Sequence, residues 1–186
     1  MNFNRYITEA EFSELAAFIR REGVVLRFAR GERLSGQGLR SHRCGLVVQG
    51  AFRYVHAAAA GEEHVVGYAF AGEFVGDYIS MCVDAPSQVT IGAMCGAEAL
   101  LVPGERLETF YRTDAACERL GRRLAEHMLA EVYERLLDRY AASPQQRYEA
   151  LTERCPDVLQ LVPLRELASY LGVRPETLSR IRRRVR

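Results

Sequence analysis

The stretch LRELASYLGVRPETLSRIRR, residues 164–183, decides how the rest of the chain is read. Two helices that cross at a tight turn need a small residue at the crossing, a glycine at the turn and apolar side chains on both inner faces. Ala168 supplies the first, Gly172 the second, and Leu167, Leu171, Val173, Leu178 and Ile181 the third. The spacing predicts a helix-turn-helix whose second helix turns Leu178, Ile181 and Val185 inward. Glu176, Ser179, Arg180, Arg183 and Arg184 then share the opposite face. Arginine grips guanine O6 and N7 as a fork, and glutamate accepts from cytosine N4. Glu176 and Arg180, one turn apart, are candidate base readers, and the remaining arginines are candidate phosphate contacts. A solvated charged face, or a basic helix that docks a protein, competes with this reading. Salt dependence of duplex binding separates them.

Charge along the chain agrees with a basic end on a nearly neutral protein. The net charge is +1, and all 25 basic residues are arginine, a bias that base composition alone explains. Residues 1–142 hold 16 arginines against 19 acids, a net of −3, whereas residues 143–186 hold 9 against 5, a net of +4. An acidic body with a basic end points to a second unit that faces a polyanion. No apolar run approaches the roughly 18–20 residues of a membrane span, and the charged N-terminus is unlike a signal peptide, so a cytoplasmic protein is expected. The five cysteines (Cys44, Cys82, Cys95, Cys117, Cys155) lie far apart, without metal-ligand spacing, and read as reduced thiols.

The body divides in two. Thr8 and Glu11 form a capping-box pattern for a helix over 8–22. From about 24 to 103, short runs such as VVLRF, CGLVVQGAFRYV, EHVVGYAF, SQVTIGAM and ALLV alternate with glycines, which predicts an antiparallel barrel or sandwich with a hairpin tip at AAAAGEE. Beyond PGERLETFYRTD, apolar residues recur at Ala116, Leu120, Leu124, Met128, Val132, Leu136 and Tyr140. These four-residue steps are read as one stripe of a long amphipathic helix, ended by Ser143-Pro144. Leu120, Leu124, Met128 and Val132 are the expected pairing residues of a homodimer. The expected division is a barrel over 1–112, a dimerisation helix over 113–142 and a helix-turn-helix unit over 143–186.

Several of these segments together resemble the Crp/Fnr family of bacterial transcription regulators. FARGERLSGQG (28–38) is similar to the family's first barrel turn, and VVQGAFR (47–53) to its next strand pair. FAGEFVGDY (70–78) resembles the start of its phosphate-binding cassette, and ETLSR (176–180) the recognition motif of the Fnr branch. The resemblance implies an α+β protein: a jelly-roll sensor barrel (double-stranded β-helix), a dimerising helix and a C-terminal winged helix. The sequence ends at the recognition helix, so a truncated winged helix is expected. By the same match Glu176, Ser179 and Arg180 read bases of double-stranded DNA, and Arg165, Arg174 and Thr177 touch its phosphates. RNA polymerase is a further partner that the family admits.

The cassette departs from that pattern. Cyclic-nucleotide binders of the family follow Gly-Glu-Leu with an Arg-Ser pair that holds the cyclic phosphate. Here Gly76, Asp77 and Tyr78 stand in the first place, and Ser87 and Gln88 in the second. No arginine occurs between Arg53 and Arg106, while seven acids do. Cyclic-nucleotide binding is therefore not expected, and the barrel either senses an unidentified small molecule or serves only as a scaffold. No N-terminal cysteine cluster suggests an iron–sulfur cofactor. His42, His56, His64 and His127 are isolated, which argues against haem or another metal, so no cofactor is expected. The alternative from another class is a cupin-like barrel enzyme. That reading needs a His-x-His motif with a carboxylate, which the sequence lacks, so no enzymatic activity is expected.

Overall fold

Alternation along the strands explains how three hydrophobic cores arise from two sheets. The computed structural model describes residues 10–40 and 43–185. Its strands are β1 (Val24–Phe28), β2 (Arg33–Ser35), β3 (Arg43–Gln49), β4 (Ala51–Ala57), β5 (Glu63–Phe70), β6 (Phe74–Gly76), β7 (Thr90–Ala93) and β8 (Ala97–Pro103). They form two four-stranded antiparallel sheets, ordered β1-β8-β3-β6 and β2-β7-β4-β5. Except for the β4–β5 hairpin, chain neighbours are split between the sheets, which is the jelly-roll arrangement. Successive side chains of a strand point to opposite faces. Val47, Phe52, Ala69, Val75, Ile91, Ala99 and Leu101 thus meet between the sheets. Cys44, Leu46, Phe74 and Val102 leave the outer face of the first sheet, and Ala51, Tyr68 and Phe70 that of the second. Strands covered on both faces read as near-continuous apolar runs. That is why CGLVV and YAF do not alternate in the sequence.

Helices cover both outer faces. On the first sheet lie α1 (Ser13–Glu22), α3 (Gly104–Tyr111) and the first half of α4 (Ala115–Ala141). On the second lie α5 (Pro144–Arg154), α6 (Val158–Leu161), α7 (Leu164–Leu171) and α8 (Pro175–Val185). The short α2 (Tyr78–Cys82) follows β6. Thr8, the expected cap of the first helix, lies outside the described residues. Glu11 has another role: it accepts from the Arg123 guanidinium at 2.8 Å and so ties the N-terminal turn to α4.

The long helix departs from its expected pattern in an instructive way. Leu120 and Leu124 are buried in the first core with Phe12, Leu15 and Phe110, and Met128 packs against the same cluster. They face their own barrel, so the expectation that they pair with a second chain is corrected. The reason is geometric. With 3.6 residues per turn, each four-residue step overshoots a full turn by about 40°. A run from Leu120 to Tyr140 therefore walks round the helix instead of keeping to one face. Past Met128 it has left the barrel, and Leu129, Val132, Tyr133, Leu136, Leu137 and Tyr140 are exposed by between 46 and 84%.

This placement fixes what Leu124 does. Leu124→Ala is expected to lower the stability of the barrel by about 2–5 kcal/mol, the cost of an aliphatic cavity. Denaturant unfolding measures it, and the oligomeric state by light scattering should not change.

Candidate nucleic-acid interface and sensor cassette

Local rules shape the α7–α8 pair. Gly172 ends α7 in the left-handed region (φ 66°, ψ 35°), where any residue with a Cβ is strained. Its N–H donates to the Ser169 carbonyl at 3.0 Å, and the Val173 N–H to Ala168 at 2.9 Å. Pro175 suits the first turn of α8, and the Arg174 carbonyl receives the Thr177 and Leu178 N–H groups. Arg147 braces the unit from α5. Its guanidinium donates to the carbonyls of Asp138 (3.2 Å), Ala142 (2.6 Å) and Leu171 (3.1 Å), joining the ends of α4 and α7. Two helix C-termini thereby share one cation.

On α8, Leu178 and Ile181 are buried in the core shared with Leu167, Ala168 and Leu171. Glu176, Arg180, Arg183 and Arg184 are exposed, as are Arg165 and Arg174, while Thr177 and Ser179 are half-buried. The structure brings the expected reading residues onto one accessible surface. Val185 is exposed, contrary to its expected inward position, because the eleven residues of α8 outrun the eight of α7. Arg186 lies outside the described residues.

The cassette holds its own anion. The Asp77 carboxylate caps α2, accepting from the Ser80 N–H at 3.2 Å and from the Ser80 hydroxyl at 2.6 Å. It also accepts from the hydroxyl of buried Ser87 at 2.5 Å. Ser87 is thus turned toward a carboxylate of the same chain. Gly76 has φ 148°, and a Cβ there would stand 2.6 Å from that of Cys44. Its N–H donates to the hydroxyl of Tyr54, which reaches out of the barrel interior at 3.1 Å. Tyr78 is buried among Cys44, Phe74 and Phe110, and burial raises its phenol pKa. Gln88 is exposed, its carbonyl accepting from His56 Nδ1 at 2.8 Å. Sequence reading found these residues but not their mutual arrangement. The acid one residue before a short helix was the available signal, since Asp is a preferred cap.

Arg53, an isolated charge in the strand text AFRYV, points away from the cassette and pairs with Glu166 of α7. Among the described residues no three His, Cys, Asp or Glu side chains gather as a metal group, and no helix is long and apolar enough to cross a membrane. His42 lies outside the described residues.

Residues 25–114 match the family model of the cyclic nucleotide-binding domain. The described fold is similar to that of Crp/Fnr-type regulators. FixK2 from Bradyrhizobium japonicum superposes with a TM-score of 0.75 at 18% identity, covering 88% of this chain and 84% of its own. The c-di-GMP-responsive global regulator CLP of Xanthomonas campestris gives 0.63 at 16% identity, covering 93% and 91%. The catabolite activator protein of Thermus thermophilus gives 0.57 at 19% identity, covering 96% and 84%. No curated protein sequence matches the chain significantly.

Proposed function

We propose that the chain is a homodimeric, DNA-binding transcription regulator, with residues 1–112 as the barrel, 113–142 as the dimerisation helix and 143–186 as the DNA-reading unit. The observation that carries this reading is the two-sided character of α8: Leu178 and Ile181 are buried, and Glu176, Arg180, Arg183 and Arg184 face solvent together. Arg180 and Glu176 read base edges, Ser179 supports them, and Thr177, Arg165, Arg174, Arg183 and Arg184 hold phosphates. A second copy joins along the exposed apolar stripe from Leu129 to Tyr140. Six large apolar side chains on three turns of one helix are more than a monomer ordinarily leaves uncovered. A two-fold pair then presents its reading helices about one DNA turn, roughly 34 Å, apart.

The barrel is read as a scaffold with respect to cyclic nucleotides. A cyclic phosphate would meet the Asp77 carboxylate, no arginine from its own segment, and Gly76 and Ser80 N–H groups already engaged by Tyr54 and Asp77. Leaving a buried charge without its partner costs about 2–5 kcal/mol, or about 30-fold to several thousandfold in affinity.

Three outcomes check this reading. Arg180→Ala should lose about 1–3 kcal/mol per half-site and relax preference at one base pair, while Arg183→Ala weakens all duplexes nearly alike and lowers the salt slope by about one ion per subunit. Equal, sequence-independent losses in binding assays would make Arg180 a phosphate contact only. Leu136→Glu, at an exposed position, should yield a folded monomer by light scattering; a persistent dimer places the seam elsewhere. Calorimetry with cyclic AMP and cyclic GMP should show no micromolar binding to the wild type, and a micromolar isotherm would overturn the scaffold reading.

A further inference from the structure

The reading unit is held against the barrel at two points that neighbour each other on both sides. On β4, Phe52 and Tyr54 point into the barrel, so Arg53 between them leaves on the outer face. Its guanidinium pairs with the Glu166 carboxylate of α7, with the two side chains 35 and 26% exposed. Tyr68, opposite Arg53 in the β4–β5 register, meets Tyr170 of α7 with ring centroids 4.9 Å apart. Glu166 and Tyr170 are four residues apart and lie on the same side of α7. Two contacts a helical turn apart fix its direction as well as its place. The surrounding core is shared, because Ala51, Tyr68 and Phe70 of the barrel bury the same cluster as Leu167, Ala168, Leu171, Leu178 and Ile181. Throughout, the face bearing Glu176, Arg180, Arg183 and Arg184 stays open, so this contact does not cover the surface that reads.

We propose that Arg53 and Glu166 are positioning residues for DNA recognition, the barrel wall fixing the angle at which α8 meets a half-site although neither residue touches DNA. This rests on the DNA reading above. A dimer with rigidly mounted reading helices accepts one half-site separation, and loosened mounts accept several.

The test begins with the palindrome that the wild-type protein selects from a random duplex pool. Affinities are then measured by fluorescence anisotropy for that site and for versions lengthened at the centre by one and two base pairs. The wild type should lose about tenfold or more on lengthening. Arg53→Ala and Glu166→Gln should shrink this penalty by about fivefold, the scale of one partly exposed ion pair. The exchanged pair, Arg53→Glu with Glu166→Arg, should restore it. A merely stabilising contact would lower melting temperature and leave the spacing preference untouched, and that outcome overturns the proposal. So does tighter binding by either single variant, which would make the contact inhibitory. If the wild type selects no duplex, the DNA reading itself falls. The mount is then judged by hydrogen exchange in α7, which must rise in both single variants and return in the exchanged pair, or the proposal fails as well.

Discussion

The structure depends on a sheet, β2-β7-β4-β5, that is apolar on both faces. Phe52 and Ala69 close the barrel from one side, while Ala51, Tyr68 and Phe70 receive the C-terminal helices on the other. A helical unit of some forty residues buries too little of its own surface to be comfortably stable alone. Standing on β4 and β5, it borrows a floor that the barrel must build in any case. The same two strands therefore answer for the barrel and for the set of the helices on it. A substitution at Tyr68 would be felt by both.

Inside the barrel, electrostatics has been settled within the chain. A cradle of hydroxyls and N–H groups prefers a negative charge, and in this protein Asp77 provides it, with Ser80 and Ser87 converging on one carboxylate. Preorganised donors gain most from an anion when nothing else satisfies them. Here they are satisfied before any ligand arrives. An incoming anion would have to displace a carboxylate tethered beside it, at an effective concentration that free ligands rarely match.

Much of this was legible in the residues, and the failures have physical causes. The turn at Gly172 could be read because only glycine enters the left-handed region easily, and Ala168, Leu171 and Leu178 stood where that turn required them. The strands could be read from their glycine punctuation, although burial on both faces blurred their alternation. Leu120 and Leu124 were misassigned because a repeat of four was taken for a repeat of 3.6. Over one or two turns the difference is small, but over six steps it moves the stripe most of the way round the helix. Val185 failed for want of a partner length, which a wheel diagram does not contain. The partners of Arg53 and Asp77 are tertiary facts: Glu166 lies 113 residues away, and Ser87 comes back through a loop.

The drift along α4 gives the helix a second meaning beside its length. Where the stripe leaves the barrel, near Met128, the helix sets a clock angle between the face that holds its own barrel and the exposed apolar face on which the proposed dimer rests. One residue added there would raise the far end by only about 1.5 Å, yet rotate it by about 100°. The two barrels of the proposed pair would then sit on different sides of its axis, with every residue in each of them unchanged. In the proposed dimer, the count of residues between Leu124 and Leu136 is thus a phase, which sets how the two copies are turned about their seam.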